Sequence, residues 1–123
     1  MDDNNGPLPF ACPHCGGPLH VTEDGDVECK HKHRFSVDEV MQEQTRTSSK
    51  ATWLAVKALK ERAETSRWAA RDPELYGLGD ARKLEESAAD DEESAGVLQK
   101  QAQMLDLTLW RISEATEGDG TPL

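Results

Sequence analysis

Short alternating runs of apolar and polar residues occupy the start of the 123-residue chain, and longer helical patterns follow them. Leu19 to Thr22 and Val27 to Cys29 read as two brief β-strands, because each is rich in β-formers and bounded by polar residues. The pair Asp24-Gly25 between them is typical of a tight hairpin turn. This pattern predicts a two-stranded β-hairpin, which is marginally stable without further support.

A first helix is expected at about 37–71. Ser36 and Glu39 have the spacing of a capping box at its start, and neither Gly nor Pro follows until Pro73. Small and apolar side chains recur at helical spacing and predict the buried face. That face carries Val40, Thr47, Ala51, Leu54 and Ala58, with Ala55 and Leu59 beside it.

A second helix is expected at about 81–114, with Asp80 as its N-cap. Its apolar positions alternate three and four residues apart, which is the heptad spacing of paired helices. The predicted seam contains Leu84, Ala88, Asp91, Ala95, Leu98, Ala102, Leu105 and Leu109. Pro73, Gly77 and Gly79 predict a loop between the helices. Together these features predict a long antiparallel helical hairpin, with a coiled-coil type of pairing.

The predicted fold class is therefore mainly α, a small two-stranded β-ribbon followed by an antiparallel helical hairpin. Residues 1–9 are expected to be disordered, 10–35 to form the ribbon, 36–115 to form the helical hairpin, and 116–123 to be flexible. Large aromatic residues in the helical region are expected to pack the hairpin, or one hairpin on another, and a binding surface is the alternative. These residues are Trp53, Trp68 and Trp110.

Three cysteines and one histidine within the predicted ribbon have metal-ligand spacing. Cys12 and Cys15 form a C-x2-C pair, and Cys29 and His33 form a C-x3-H pair after a thirteen-residue spacer. Three thiolates and one imidazole suit tetrahedral Zn2+ and leave no coordination position for catalysis. The metal is expected to supply the core that such a small β-hairpin lacks.

The ribbon sequence also allows other interpretations. His31 is an alternative fourth ligand, although its two-residue separation from Cys29 makes its approach strained. His14 and His20 are expected to be exposed side chains. Cys12-Pro13-His14-Cys15 is also the dithiol sequence of some thiol oxidoreductases, but that chemistry needs a helix after the first cysteine, and Gly16 follows the pair.

Charge limits the function classes further. The net charge is -10, and an acidic chain is a poor general binder of phosphate backbones. Residues 37–71 carry five acidic and seven basic side chains, whereas residues 72–94 carry nine acidic and two basic ones. The run at 90–93 is expected to be a solvated helix face. Lys30, Lys32 and Arg34 form the one basic cluster of the ribbon, so a nucleic-acid-binding, transcription-associated zinc ribbon is kept as an alternative.

The sequence contains no apolar run long enough for a membrane span and no catalytic motif such as a P-loop or a nucleophile elbow. The acidic N-terminus differs from a secretory signal, and an odd number of cysteines suits a reducing compartment. We therefore expect a cytoplasmic protein that has no enzymatic activity, small-molecule substrate or membrane attachment.

The stretch from Phe10 to about Leu107 resembles the C-terminal extension of bacterial chemotaxis methylesterase-like proteins. The resemblance is carried by Cys12-Pro13-His14-Cys15-Gly16-Gly17, by the Cys29, His33 and Ser36 spacing, and by the segment from Trp53 to Ala63. It implies a zinc ribbon followed by a helical hairpin. The chain departs from the family pattern at Lys32, where Gly is usual, and lacks the family's receiver and esterase domains.

The resemblance therefore does not imply the esterase activity of the full-length family members. The resemblance implies a regulatory or partner-binding role in chemotaxis-type signalling for a bacterial zinc protein. The expected partner is another protein or a second copy of the chain. A thiol oxidoreductase using Cys12 and Cys15 is the remaining alternative, after the nucleic-acid-binding one.

Overall fold

In the computed structural model, which describes residues 7–118 and the side chains of residues 7–109, three short strands precede two long helices. The strands are β1 (Leu19–Val21), β2 (Val27–Cys29) and β3 (Arg34–Phe35), and the helices are α1 (Val37–Ala69) and α2 (Ala81–Gly118). The predicted fold class is confirmed, because the chain is mainly helical with a small antiparallel sheet on its N-terminal side. None of the helices described is both long and apolar enough to cross a membrane.

The sheet has the order β1-β2-β3 and is antiparallel throughout. In β1 and β2, Leu19 is level with Cys29 and Val21 with Val27, and Gly25 forms the turn with a φ of 88°. The two-stranded prediction was one strand short. The chain turns back after Cys29 so that β3 pairs with β2, and Phe35 lies level with Val27.

The chain forms two compact units. Of the described residues, the first unit contains 7–47 and 108–118, and the second unit is Ser48–Leu107. The first unit has a small buried core to which α1 contributes Val40, and Leu8, Phe10 and Phe35 pack against it. The core residues are Cys12, Leu19, Val27, Cys29 and Val40.

The ordered part of the ribbon starts earlier than the sequence predicted. The backbone N–H of Leu8 donates to the carbonyl of Leu19 at 3.0 Å, and the Leu8 side chain is half-buried against the core. The expectation of disorder over residues 1–9 is therefore wrong for Leu8, and residues 1–6 lie outside the described part of the chain. At the other end α2 continues to Gly118, beyond the predicted end at 114, and residues 119–123 are likewise outside it.

Both predicted helix caps are present. The Ser36 backbone N–H donates to Glu39 Oε1 at 2.7 Å, and the Glu39 N–H donates to Ser36 Oγ at 3.1 Å, which is the reciprocal capping box. At the start of α2 the backbone N–H of Arg82 donates to Asp80 Oδ1 at 2.9 Å. Each helix therefore begins where its sequence signal placed it.

The second unit is a helical hairpin whose buried apolar side chains are mostly small. Its buried apolar residues are Val56 and five alanines, whose small side chains permit close approach of the two backbones. The alanines are Ala63, Ala69, Ala88, Ala95 and Ala102. The predicted seam of α2 is correct, since four of its residues are buried and the other four half-buried. Ala88, Asp91, Ala95 and Ala102 are the buried four, and Leu84, Leu98, Leu105 and Leu109 are the others.

The predicted buried face of α1 was right in part, because Val40 is buried and Ala55 and Leu59 are half-buried, but it was wrong at four other positions. Leu54 is 58% exposed, and Thr47, Ala51 and Ala58 are also exposed. The buried row instead has heptad spacing at Ser49, Val56 and Ala63. Ser49 can occupy this row because its hydroxyl donates to the carboxylate of Asp106 on α2.

The tryptophans have mixed environments. Trp53 donates its indole N–H to Asp106 Oδ2 at 3.0 Å, and Trp68 lies against Tyr76 with ring centroids 4.6 Å apart while remaining 51% exposed. The side chain of Trp110 lies outside the described residues. The acidic run at 90–93 is solvated except at Asp91, which is 7% exposed in the helical hairpin.

Candidate metal centre

The first cysteine pair of the ribbon lies on a tight backbone turn. The Cys12 N–H donates to the Gly17 carbonyl at 2.9 Å, and the Gly16 N–H donates to the Cys12 carbonyl at 2.8 Å. Gly16 has a φ of 77°, a conformation that glycine adopts without the steric cost of a Cβ. This turn directs the Cys12 and Cys15 thiols to the same side of the chain.

The second pair lies on the turn that joins β2 to β3. The Cys29 N–H donates to the His33 carbonyl at 3.0 Å, and the Lys32 N–H donates to the Cys29 carbonyl at 3.0 Å. Lys32 has a φ of 71°, in the left-handed region that side chains other than Asn, Asp and Gly rarely adopt. Because this turn reverses the chain within four residues, His33 faces Cys29.

The four predicted ligands are brought together. Their ligand atoms all lie within 4.8 Å of one another, so the cluster can hold a metal ion. The Sγ atoms of Cys15 and Cys29 are 3.8 Å apart, and His33 Nδ1 lies 3.2 Å from Cys29 Sγ and 3.6 Å from Cys12 Sγ. The described residues contain no second group of this kind.

These separations fit tetrahedral zinc. Bonds of about 2.3 Å to sulfur and about 2.0–2.1 Å to nitrogen at tetrahedral angles place two sulfurs ~3.8 Å apart, and a sulfur and a nitrogen ~3.6 Å apart. Two of the three measured separations equal these values, and the third is a few tenths of an ångström shorter. The donor set and these three separations therefore suit a tetrahedral metal ion such as Zn2+.

The environment of the thiols differs from one to the next. Burial opposes the charged form of Cys12, but hydrogen bonds from the backbone N–H groups of Cys15 and His14 and from the neighbouring thiols lower the pKa of the Cys12 thiol overall. The His14 N–H lies 3.4 Å from Cys12 Sγ. Such N–H groups stabilise a thiolate, which is the form that binds a metal.

The hydrogen bond from the Gly17 N–H lowers the pKa of the Cys15 thiol. Burial and the adjacent thiols of Cys12 and Cys29 outweigh this effect, so the pKa of Cys15 is raised overall. For His33, burial first and then the nearby rings of His14 and His31 lower the pKa of the imidazole. A histidine held neutral in this way offers a free ring nitrogen to a metal. His33 is thus suited to the ligand role near neutral pH.

The other histidines lie outside the cluster. His14, His20 and His31 are exposed, as expected for His14 and His20. The His14 ring is nevertheless in edge contact with His33, with centroids 4.2 Å apart, while His31 is 6.2 Å away. His14 therefore packs on the outer side of the proposed ligand.

The dithiol alternative needs Cys12 at the N-terminus of a helix. Residues 12–16 form turns, and the first helix of the described chain begins at Val37.

The basic cluster on which the nucleic-acid-binding alternative rests is partly neutralised. The Arg34 guanidinium binds Asp24 at 2.7 Å and Asp26 at 3.2 Å. The sequence analysis did not predict these ion pairs between Arg34 and the turn from β1 to β2. The two acidic residues of that turn, Asp24 and Asp26, were the signal that could have indicated them.

Searches of protein-family models, curated proteins and solved structures found no match to this chain.

Proposed function

We propose that this chain is a small zinc-binding protein whose metal is structural and whose helical hairpin acts as a protein-interaction or regulatory module. The observation that carries the proposal is the convergence of Cys12, Cys15, Cys29 and His33 within 4.8 Å of one another. Three cysteines and one histidine saturate tetrahedral zinc, and a saturated ion cannot activate water. A role for the metal in holding the ribbon together is therefore favoured over catalysis.

The small core of the ribbon supports a structural role. Two of its five buried residues are the proposed ligands Cys12 and Cys29, and the strands are two or three residues long. A sheet of this size buries too little apolar surface to be stable alone. When bound, zinc supplies cross-links between the two ligand turns, and binding is then coupled to folding.

An interaction role is supported by the exposed surface of the helices. Leu54, Trp68, Val97 and Leu107 are each about half exposed, so apolar side chains on the helices are accessible to a partner. The proposal places the protein in a reducing compartment, the cytoplasm, because the three cysteines serve as thiolate ligands there. Chemotaxis-type signalling is the process that the family resemblance suggests for it.

The test is metal content by elemental analysis of the purified full chain and of two variants. The wild-type protein and the control His20→Ala should carry one zinc per chain, whereas Cys12→Ser should lose it. The ribbon should unfold in Cys12→Ser and in chelator-treated wild type. The dispersed amide signals of β1 and β2 in NMR spectra, which report the folded ribbon, should then disappear. An intact ribbon in metal-free wild type would overturn the structural role. Thiols that alkylate equally fast with and without chelator would instead favour the oxidoreductase alternative.

A further inference from the structure

We propose that a second copy of this chain packs on one edge of the helical hairpin and forms a four-helix bundle. We call this surface the apolar edge and define it as Ala55, Leu59, Leu98 and Leu105. The inference rests on the proposed interaction role and names its partner. In the bundle each α1 lies beside the α2 of the other copy.

The opposite edge of the hairpin is already occupied by polar contacts between the helices. Three contacts recur at intervals of seven residues on both helices, which places them along one line of the hairpin. They are Trp53 with Asp106 at 3.0 Å, Lys60 with Gln99 at 3.3 Å, and Arg67 with Glu92 at 2.9 Å. This edge is satisfied within one chain and is unsuited to a second apolar contact.

The apolar edge has a different composition. With 3.6 residues per turn, Leu59 flanks the buried row of α1 on the side away from Lys60, and Leu98 flanks the buried row of α2 on the side away from Gln99. All four residues of the apolar edge are half-buried. Beside them is a shallow depression of about 440 Å³, lined by Glu93, Ser94, Val97 and Leu98.

The distribution of side-chain size explains why this edge needs a cover. Apart from Val56, the buried apolar positions of the second unit are all alanines, while its leucines lie at the edges or on the surface. A two-helix unit with an alanine core buries little apolar surface. Stacking two such hairpins would place the leucines of both apolar edges in a common core, the usual arrangement of a four-helix bundle.

The available area is sufficient for a stable dimer. The part of α1 within the second unit is roughly 33 Å long at 1.5 Å per residue, and two adjacent helices are ~20 Å wide. Contact over this face would bury on the order of 1,300 Å² in total, which exceeds the ~1,000 Å² expected of a biological interface.

Charge favours a second copy as the occupant and selects its orientation. The part of α1 at 48–69 carries five basic and two acidic side chains, while α2 over 81–107 carries three basic and seven acidic ones. A two-fold axis parallel to the helices puts each basic α1 beside an acidic α2. A two-fold axis perpendicular to the helices would instead place α1 against α1 and α2 against α2. Like charges would then be adjacent, which costs free energy.

Arg62 lies on the side of the apolar edge and agrees with this orientation. Its guanidinium reaches Asp91 Oδ1 at 3.6 Å within the chain, yet its side chain is 68% exposed. The acidic α2 of a second copy, lying alongside α1, would cover it. The apolar edge therefore has an apolar centre and a charged margin that its own chain can complement.

The experiment measures molar mass by size-exclusion chromatography with light scattering over a range of protein concentrations. The wild-type chain should reach twice its 13.6 kDa. Ser94→Arg adds a cation at an exposed position beside the apolar edge, where the basic α1 of the other copy would lie. It should weaken dimerisation at least ~10-fold. Gln103→Arg adds the same charge at an exposed position of α2 on the polar edge and should leave the mass unchanged.

Circular dichroism of both variants should show wild-type helicity, so a lower mass would report dissociation and not unfolding. Added NaCl should weaken the wild-type dimer, because opposite charges are adjacent. A monomeric wild type, equal masses for both variants, or a dimer strengthened by salt would overturn the inference. Zinc analysis of the same samples separates the two proposals, since a monomer with one zinc contradicts dimerisation alone and a metal-free dimer contradicts the zinc proposal alone.

Discussion

The backbone N–H of Cys29 donates to the carbonyl of His33 at 3.0 Å, and the same turn brings His33 Nδ1 within 3.2 Å of Cys29 Sγ. One local hydrogen bond thus both closes the turn before β3 and aligns the second ligand pair. The turn is completed by Lys32, whose positive φ directs the following residue back toward the thiols. The geometry of the proposed metal site is therefore set by backbone conformation as much as by the ligands.

The first prediction separates the two candidate fourth ligands. His33→Ala should lower zinc affinity more than ~100-fold, because loss of a residue that only supports a ligand already costs 10–100-fold. His31→Ala should retain wild-type affinity, since the His31 side chain is exposed and lies outside the cluster. Competition with a chromophoric chelator measures both. Equal losses in the two variants would contradict the assignment of His33.

The second prediction concerns the backbone at Lys32. Lys32→Gly should stabilise the folded protein by about 1 kcal/mol, because a side chain in the left-handed region costs ~1–2 kcal/mol and glycine relieves it at some cost in chain entropy. Lys30→Gly is the matched control, because it also removes an exposed lysine but at a residue that has no positive φ. It should not stabilise the protein. Urea unfolding of the zinc-loaded chain measures both, and a destabilised Lys32→Gly variant would argue against the turn described here.

Lys32 also shows how far the sequence determined the candidate site. The convergence of the four candidate ligands was predictable, because thiols and an imidazole at this spacing are typical of a metal site. The third strand was not, because Arg34 and Phe35 form a two-residue strand that carries no periodicity of its own. Strand β3 forms because the turn at Lys32 returns the chain to β2. The positive φ of this turn could not be predicted from a lysine, which rarely adopts it.

The helices show the same limit. The caps at Ser36 and Asp80 and the seam of α2 followed from local patterns, but the buried face of α1 did not. Its buried row at Ser49, Val56 and Ala63 is less hydrophobic than the exposed row containing Leu54. Burial of Ser49 depends on a partner on α2, and no pattern within α1 could reveal that contact.

The third prediction tests that contact. The Asp106 carboxylate accepts hydrogen bonds from the Ser49 hydroxyl and from the Trp53 indole N–H. Asp106→Ala should lower the thermal unfolding midpoint, because the buried Ser49 hydroxyl loses its partner. Tryptophan emission should change as the Trp53 indole gains access to water. Asp90→Ala, at an exposed acidic residue of the same helix, is the control and should melt like the wild type.

The fourth prediction concerns acid. Hydrogen bonds from Ser49 and then Trp53 lower the pKa of Asp106, and the hydrogen bond from Arg67 lowers the pKa of Glu92. Carboxylates with a depressed pKa in the folded state add stability that is present above their unfolded pKa, about 4, and is lost as pH falls through the folded value. Helical stability should therefore decline below about pH 4.5.

Acid is also expected to release the proposed metal ion, because the thiolates and the imidazole would take up protons. The informative quantity is consequently the difference between the wild type and Asp106→Asn, in which the contribution from the metal ligands cancels. That difference in unfolding free energy should be largest near neutral pH and should shrink as the wild-type carboxylate is protonated. A difference that stays constant from pH 7 to below the pKa of Asp106 would show that its charge contributes nothing to the helical hairpin.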